Sequence, residues 1–442
     1  MKNKQKILCG FFAVIFALAL ALAFTTCEEP HTHEYSTTWS SNAAQHWHEC
    51  SCGDKADVAD HTGDPCSVCS YSWTWTAVAD STIWEYPYSF EYDGETFAST
   101  KAHDINAIAY GNGRFVAVGY SSSGYYPNTT YTGKMAYSAN GSNWTAVSNS
   151  TFTSDIINAI AYGNNRFVAV GSDGEMAYST DGVNWTAVED RTAWGYESSG
   201  NTYYSDIYAI AYGNGKFVAG GSGGRMAYSD DNGVTWKAVA DSTVWKHTYS
   251  DGSSITSGIN GIAYGNGRFV AVGSAYGKMA YSADGASWTA VTDSTFGTDL
   301  SDSINGIAYG GGKFVAVGGE GFSLNYDGKM AYSADGASWT AVADNTIWQY
   351  IDYSDDLQTA GINGIAYGNN RFVAVGNEGK MAYSANGVNW TAVTDSTFIT
   401  TYTFGDDDDD TLSFTYEILA IAYGNGRFVA VGEDGKMAYA DF

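Results

Sequence analysis

The hydrophobic and polar positions of this chain follow one repeating pattern from residue 104 to the end. In each unit, an apolar stretch close to I-x-(A/G)-IAYG is followed by a polar pair, by (R/K)FVAVG, by KMAYS and by WTAV. The IAYG element begins seven times, at Ile108, Ile160, Ile210, Ile262, Ile307, Ile365 and Ile421. Copies about fifty residues apart indicate a repeat architecture in which each unit is one supersecondary element.

Each unit contains four short segments rich in β-branched and aromatic residues, which predict β-strands. The polar pair between the first two segments is Asn-Gly, Asn-Asn or Gly-Gly, and these residues accept the positive φ angles of a tight hairpin. Apolar runs such as FVAV indicate that both faces of the sheet are covered. Four covered strands per unit are typical of a propeller blade. We therefore predict an all-β fold, a seven-bladed β-propeller with four-stranded blades.

The two ends of the repeat region predict how the ring closes. The last unit ends at Phe442 without a WTAV segment, whereas residues 75–78 form a WTAV segment with no unit before it. We predict that this N-terminal strand completes the seventh blade, because a closed ring removes exposed sheet edges. The propeller domain is then residues 73–442.

The turn between the third and fourth strands carries a recognisable motif. In the third unit it reads S-x-D-x-G-x-T-W and comprises Ser229, Asp231, Gly233, Thr235 and Trp236. Most other units have a version one residue shorter, with its acid at Asp181, Asp284 or Asp335, while Asn140 and Asn386 replace the acid elsewhere. The motif resembles the Asp-box, or bacterial neuraminidase repeat. That resemblance implies a propeller and a structural role for these residues, and it leaves function open because Asp-boxes occur in unrelated activities.

The first 26 residues have the composition of an export signal. Lys2, Lys4 and Lys6 precede an apolar, uncharged run over residues 7–24, and Cys27 follows shortly after. This layout resembles a bacterial lipoprotein signal, which implies lipidation of Cys27 and an exported protein anchored by lipid in the bacterial cell envelope or at the surface. An ordinary signal peptide and an uncleaved anchor helix are the alternatives.

Residues 27–72 form a predicted Cys/His module and spacer. Cys50, Cys52, Cys66 and Cys69 form two short-spaced pairs, and His61 lies between them. Two thiolate pairs can surround a tetrahedral ion, so we predict a structural Zn²⁺ site, in which His61, His46 or His48 can replace one thiolate. Two disulfides are the alternative, since an exported protein permits them. The segment also resembles HxxxC…H…CxxC modules of bacterial surface proteins.

The charge of the chain narrows the class of partner. It has 48 acidic and 21 basic residues, for a formal net charge of −27. Nucleic acid is an unexpected partner, because phosphate binding needs a basic surface. The connectors between successive units hold 27 of the 48 acidic residues and 3 of the 21 basic ones. We therefore expect a partner that is cationic, is a neutral sugar, or is bridged by divalent ions such as Ca²⁺.

Aromatic residues in the variable loops and connectors are the predicted ligand contacts. The tyrosines that do not recur from unit to unit are Tyr86, Tyr88, Tyr125, Tyr126, Tyr203, Tyr204, Tyr350 and Tyr353. By contrast, the first aromatic residue of each connector recurs in all seven units, which predicts packing between blades. These residues are Trp84, Phe152, Trp194, Trp245, Phe296, Trp348 and Phe398.

Binding is the function that this pattern favours, with no catalytic residue identified. A sialidase needs three convergent arginines, yet Arg114, Arg166, Arg268, Arg371 and Arg427 all recur in the turn between the first two strands. We predict a monomeric surface protein that binds a protein or glycan partner through its acidic, aromatic face. A glycoside hydrolase with paired carboxylates in the central pocket and an architectural envelope protein are the alternatives.

Overall fold

The structure is a computed structural model. It describes residues 35–36, 39–41, 45–49, 55–60, 74–79, 82–92, 95–123, 130–319, 328–343, 346–351, 356–394, 397–403 and 411–441. These residues contain β-strands and single-turn 3₁₀ segments and no α-helix. None of them forms a helix long and apolar enough to cross a membrane. The predicted signal, Cys27 and the predicted domain boundaries lie outside the described residues and stay predictions.

Seven antiparallel four-stranded sheets make up the repeat region of the described chain. We name the strands of each sheet a to d, and strand a begins with the Ile that opens each repeat. Sheet 1 contains Ile105–Gly111, Arg114–Ser123, Thr130–Ser138 and Thr145–Ala146, and sheet 2 contains Ile157–Gly163, Arg166–Gly171, Met176–Ser179 and Thr186–Ala187. Sheet 3 contains Ile207–Gly213, Lys216–Gly221, Met226–Ser229 and Lys237–Ala238, and sheet 4 contains Ile259–Gly265, Arg268–Gly273, Met279–Ser282 and Thr289–Ala290. Sheet 5 contains Ile304–Gly310, Lys313–Gly318, Lys329–Ser333 and Thr340–Ala341, and sheet 6 contains Ile362–Gly368, Arg371–Gly376, Met381–Ser384 and Thr391–Ala392. Sheet 7 contains Ile418–Gly424, Arg427–Gly432, Met437–Asp441 and Thr76–Ala77.

The strands a contact one another around a ring, and strand a of sheet 7 contacts strand a of sheet 1. A glycine at the end of each strand a makes room for a tyrosine ring of the next sheet: a Cβ at Gly111 would lie 2.0 Å from Cγ of Tyr162. The seven pairs are Gly111 with Tyr162, Gly163 with Tyr212, Gly213 with Tyr264, Gly265 with Tyr309, Gly310 with Tyr367, Gly368 with Tyr423, and Gly424 with Tyr110. The all-β propeller architecture predicted from the sequence is therefore confirmed.

The N-terminal strand Thr76–Ala77 is the fourth strand of sheet 7. Thr76 pairs with Tyr439 and Ala77 with Ala438, while the Val78 N–H donates to the Met437 carbonyl over 2.9 Å. Strand d of sheet 1 pairs with its neighbour through the same residue types, Thr145 with Tyr137 and Ala146 with Ala136. The two ends of the repeat region thus share one sheet.

The core consists of apolar clusters between neighbouring sheets. Trp245, for example, packs with Val218 and Met226 of sheet 3 and with Ile259 of sheet 4. The recurrent first aromatics of the connectors are all buried, which confirms their predicted packing role: Trp84, Phe152, Trp194, Trp245, Phe296, Trp348 and Phe398. Each connector is therefore anchored in the core at its start.

Five connectors form two-stranded hairpins, which the sequence analysis did not predict. Their strands are Glu85–Tyr92 with Glu95–Ala102, Gly195–Ser198 with Asn201–Tyr204, Lys246–Thr248 with Ser254–Thr256, Gln349–Ile351 with Leu357–Thr359, and Ile399–Thr403 with Thr411–Thr415. A 3₁₀ turn precedes four of these hairpins, at Thr82–Trp84, Thr192–Trp194, Thr243–Trp245 and Thr346–Trp348. Further 3₁₀ turns at Ser172–Gly174, Ser222–Gly224 and Glu433–Gly435 link strands b and c. Longer connectors can pair with themselves, and this pairing satisfies backbone groups that a loop would expose to water.

The motif turn of sheet 3 is held by its own side chains. The Ser229 hydroxyl accepts from the Gly233 N–H over 2.8 Å, and an Asp231 oxygen accepts from the Thr235 N–H over 2.9 Å. The indole N–H of Trp236 donates to the Gly233 carbonyl over 3.2 Å. Asp181, Asp284 and Asp335 accept from two backbone N–H groups each in the shorter turns.

Before the repeats, Ser40–Ser41, Gln45–Glu49 and Lys55–Asp60 form a three-stranded antiparallel sheet. Trp47 is buried, with the Lys55 ammonium 3.4 Å from its ring centroid. His46 lies on the middle strand, and the His48 ring is tilted by 30° against the Trp39 ring with their centroids 3.9 Å apart. Cys50, Cys52, Cys66, Cys69 and His61, the predicted zinc ligands, lie outside the described residues.

Candidate ligand-binding face

The two faces of the ring are set by strand direction. Strand a of each sheet begins beside the connectors and the b–c links, which together we call the connector face. It ends at the a–b turn, which shares the opposite face with the motif turns, and we call that opposite side the turn face. The connector face is the one on which the sequence places the variable loops, and functional groups are commonly found on loops carried by a rigid frame.

Every strand a has a β-bulge at its second residue. Ile105 pairs with Gly119 and Ala107 with Val118, so Asn106 between them has no opposite residue. Bulges redirect a side chain and are common beside functional sites. The seven bulge residues line a central cavity of about 210 Å³. They are Asn106, Asn158, Tyr208, Asn260, Asn305, Asn363 and Leu419.

The five bulge asparagines join neighbouring sheets. The Asn106 amide donates to the Ile157 carbonyl over 2.9 Å, and the Asn158 amide donates to the Ile207 carbonyl over 3.1 Å. Asn260, Asn305 and Asn363 donate in the same way to Ile304, Ile362 and Ile418 over 3.1–3.3 Å. Each bond directs the amide N–H₂ group toward the next sheet, which leaves the amide oxygen as the acceptor of the side chain. At Asn305 this oxygen accepts from the Ser303 hydroxyl over 2.6 Å.

Two bulge residues break this pattern. The Tyr208 hydroxyl donates to the Asp206 carboxylate over 3.0 Å, and burial, together with the charge of Asp206, raises the pKa of Tyr208 to about 12. Leu419 has no side-chain donor, so the joint between sheets 7 and 1 lacks the amide bond found at five others. The ring is therefore asymmetric at its centre although its sequence repeats.

The cavity opens on the connector face as a depression of about 430 Å³. Asp104 and Tyr120 contribute to its rim, and the Tyr120 hydroxyl donates to the Asp104 carboxylate over 3.3 Å. Next to Asp104, burial lowers the pKa of His103, so the imidazole is neutral at pH 7. No basic side chain lines this opening among the described residues. The mouth is therefore negatively charged and rich in hydrogen-bond acceptors.

One connector hairpin presents an exposed aromatic pair. Tyr196 and Tyr203 stack with ring centroids 5.8 Å apart, and 39% and 46% of their surfaces are exposed. Arg225 lies 5.0 Å from the Tyr196 ring centroid, and Arg191 lies 4.8 Å from that of Tyr204. Exposed stacked tyrosines suit a sugar ring or an apolar side chain of a protein partner.

The remaining predicted contact tyrosines are placed only in part. Tyr86 and Tyr88 lie on the strand Glu85–Tyr92, and the half-buried Tyr350 lies on Gln349–Ile351. Tyr125, Tyr126 and Tyr353 lie outside the described residues. Contact with ligand stays a prediction for all eight.

The position before the recurrent Met of strand c carries a cation in six units and Glu175 in sheet 2. The Lys134 and Lys380 ammonium groups donate to connector carbonyls over 2.9–3.4 Å. At Glu175, burial and then the neighbouring charge of Asp155 raise the pKa to about 7, although Arg191 lies 3.6 Å away. Glu175 and Arg191 border a small cavity of about 140 Å³. The connector face thus holds a carboxyl group that is half protonated near neutral pH.

Among the described residues, no group of three or more His, Cys, Asp or Glu side chains is placed to hold a metal ion.

On the turn face, the recurrent cations are used within the scaffold. In each sheet the cation at the start of strand b lies 4.0–5.9 Å from a tyrosine ring centroid of strand c. Five of these cations also donate to a motif-turn carbonyl of the next sheet: Arg166, Lys216, Arg268, Lys313 and Arg427. These cations are therefore structural.

The bulge asparagines and Tyr208 were not among the residues singled out from the sequence. They occupy the variable second position of I-x-(A/G)-IAYG, which is Asn in five of seven units. A polar residue recurring inside an apolar strand is the signal that would have identified them.

No protein-family model and no curated protein matches this chain. Among solved structures, the chain is similar to YCF48 bound to D1 peptide, with 14% identity over 80% of this chain and 95% of that one and a TM-score of 0.48. It is similar to YCF48 from Cyanidioschyzon merolae, with 14% identity over 80% and 98% and a TM-score of 0.46. A catalytically inactive virginiamycin B lyase from Staphylococcus aureus, solved with quinupristin, has 10% identity over 81% and 99% and a TM-score of 0.49.

Proposed function

We propose that this chain is an exported surface protein, anchored by lipid at Cys27, that binds a protein or glycan partner through its connector face. The observation that carries the proposal is the unequal use of charge on the two faces. The recurrent cations of the turn face are bonded within the scaffold, whereas the connectors hold 27 of the 48 acidic residues and 3 of the 21 basic ones. A surface of this charge attracts cationic groups and repels anions.

The exposed pair Tyr196 and Tyr203 supplies apolar contact area on the same face. Stacked aromatic rings on a face whose connectors are mostly acidic fit a sugar or a basic polypeptide segment. In this proposal the Cys/His module, with Zn²⁺ held by its cysteines, is a spacer between the lipid anchor and a monomeric propeller, and Ca²⁺ is a candidate bridging ion on the acidic face.

The test is a screen of the purified protein against a glycan array and a set of basic and acidic peptides, at low and high salt. We expect a ligand whose binding weakens when Tyr196 and Tyr203 are both changed to Ala. The matched control is Val234→Ala, at an exposed position in the motif turn of sheet 3 on the turn face, which should leave binding unchanged. Ligands that bind equally well to the double variant, or a preference for acidic peptides, would refute the proposal.

The glycoside hydrolase alternative is tested in parallel by a hydrolysis screen on the same glycans. Turnover that disappears in Asp104→Asn, at the rim of the central cavity, would replace the binding proposal with a catalytic one. Metabolic labelling with a fatty acid that is lost in Cys27→Ser tests the anchor, and one zinc per chain by elemental analysis tests the module.

A further inference from the structure

We propose that the mouth of the central cavity takes up one cationic side chain, an ammonium or guanidinium group, from a bound polypeptide. In this site the cation donates hydrogen bonds to the side-chain oxygens of Asn106, Asn158 and Asn260, which line the mouth. The inference rests on the proposed function, because it names the group that the connector face would recognise, and it adds a specific site at the ring centre.

The first argument is the direction of the hydrogen bonds. Asn106 and Asn158 bond the next sheet through their amide N–H₂ groups, and in the described part of the chain their oxygens have no bond. Asn260 likewise uses its N–H₂ group, toward Ser303 and Ile304. The site therefore offers acceptors whose companion donors are already occupied. A ligand with several N–H donors satisfies such a set, whereas a carboxylate or phosphate leaves it unpaired.

The second argument is charge. The Asp104 carboxylate lies on the rim, where it accepts from the Asp434 N–H over 3.2 Å. The Asp206 carboxylate accepts from the hydroxyl of Tyr208, which lines the site, over 3.0 Å. The neutral His103 adds no positive charge at pH 7. A concave site with charges of one sign concentrates the field, so a cation is favoured over a neutral sugar hydroxyl.

The third argument is size and lining. The depression of about 430 Å³ shares lining residues such as Asn106, Asn158 and Tyr208 with the cavity of about 210 Å³. Volumes of this size admit a side chain and exclude a folded domain. Tyr120 and Tyr208 contribute aromatic rings to the lining, and aromatic rings bind ammonium and guanidinium groups through cation–π contacts.

The experiment measures binding of a fluorescent pentaarginine peptide, using its neutral counterpart pentacitrulline and the uncharged maltopentaose as comparison probes. Asn158→Leu and Asn158→Asp both lose the N–H₂ bond to Ile207, and the melting temperature of each variant measures its cost to the fold. They differ at the cavity, where Leu removes an acceptor and Asp adds a charge. We expect affinity for pentaarginine to fall about fivefold in Asn158→Leu and to rise in Asn158→Asp.

A gain-of-function variant and a control complete the design. Leu419→Asn adds the missing acceptor and should tighten pentaarginine binding, because Asn occupies this position in five other sheets. Asn389→Leu, at an exposed position on the turn face, should leave binding unchanged. Thermal melting of each variant shows that the ring is still folded.

Equal affinity for pentaarginine and pentacitrulline would overturn the inference. Maltopentaose binding that weakens in Asn158→Leu and does not strengthen in Asn158→Asp would also overturn it. If pentaarginine binding responds to Tyr196 and Tyr203 but to none of the cavity variants, the inference fails while the proposed function stands. If pentaarginine and the screened ligands respond to neither set, both fail.

Discussion

The turn face and the connector face of the ring are built from the same repeats, yet they use their polar groups in opposite ways. On the turn face, every cation that starts a strand b lies over a tyrosine ring, as Arg268 does over Tyr281 at 4.9 Å. On the connector face, equivalent positions differ from sheet to sheet: Glu175 stands where other units have a cation, and Tyr208 and Leu419 stand where five have Asn.

This difference shows which parts of the repeat are structural. A contact that recurs in all seven sheets, such as the cation over tyrosine, is explained by closure of the ring and needs no ligand. A position that departs from the repeat inside the same fold cannot be explained in that way. Departures from the pattern therefore point to function more directly than the pattern itself, and in this molecule they concentrate on one face.

The largest expected effect concerns the anchors of the connector face. If this face were only a layer of hairpins on the ring, removing an anchor would loosen one hairpin. Trp245 is fully buried among residues of neighbouring sheets, so we expect Trp245→Ala to lower the free energy of unfolding by about 3–5 kcal/mol in chemical denaturation.

Two variants control this prediction. Trp245→Phe should cost much less, because Phe fills the equivalent position in three units. Tyr203→Ala, at an exposed position, should change the free energy of unfolding by less than about 0.5 kcal/mol. Loss of the hairpin without a change in global stability would show that the two faces are more independent than the packing indicates.

The next effect tests the asymmetry at Glu175. Its pKa is raised from 4.5 to about 7 in the folded chain by burial and by Asp155, so the folded state binds a proton that the unfolded state releases. Protonation of Glu175 therefore contributes stability that is fully present below pH 4.5 and is lost as the pH rises through 7. Glu175→Gln should therefore be more stable than the parent at pH 8, by on the order of 1 kcal/mol after solvent screening, and nearly equal to it at pH 4.

Thermal melting from pH 4 to pH 8 measures this difference. The matched control is Glu189→Gln, which changes an exposed carboxylate beside the same small cavity and should follow the parent at every pH. A Glu175→Gln variant whose stability runs parallel to the parent across this range would show that Glu175 is no different from an exposed acid.

Much of the fold follows from the sequence because its signals are local. Hairpin pairs such as Asn112-Gly113, with positive φ at both residues, specify turns without help from distant residues. The motif turn of sheet 3 is likewise held by bonds within eight residues. The burial of Trp194 and its equivalents could be predicted because recurrence marks a packing role.

The candidate site could not be predicted in the same way because it depends on register and on distant neighbours. Asn106 faces the cavity only because a bulge turns it out of the strand, and its bonding partner Ile157 is 51 residues away. The pKa of Glu175 depends on burial and on Asp155, which belongs to a connector. The connector hairpins also escaped prediction, since their alternation is short and their turns vary.

The smallest expected effect lies on the turn face and tests whether its repeats are interchangeable. The backbone N–H groups of Ser287 and Ala286 lower the pKa of Asp284 to about 2, so its contribution to stability is present above about pH 3.8 and is lost as the pH falls toward 2. Asn140 accepts the equivalent N–H groups in sheet 1 with a neutral oxygen, over 2.9–3.0 Å. Asp284→Asn should therefore change stability by less than about 0.5 kcal/mol at pH 7 and should make unfolding between pH 4 and 2 less sensitive to acid. Asp284→Ala, which has no acceptor, should destabilise the protein both at pH 7 and between pH 4 and 2. An Asp284→Asn variant that behaves like Asp284→Ala would show that the charge is required and that the seven turns are not equivalent.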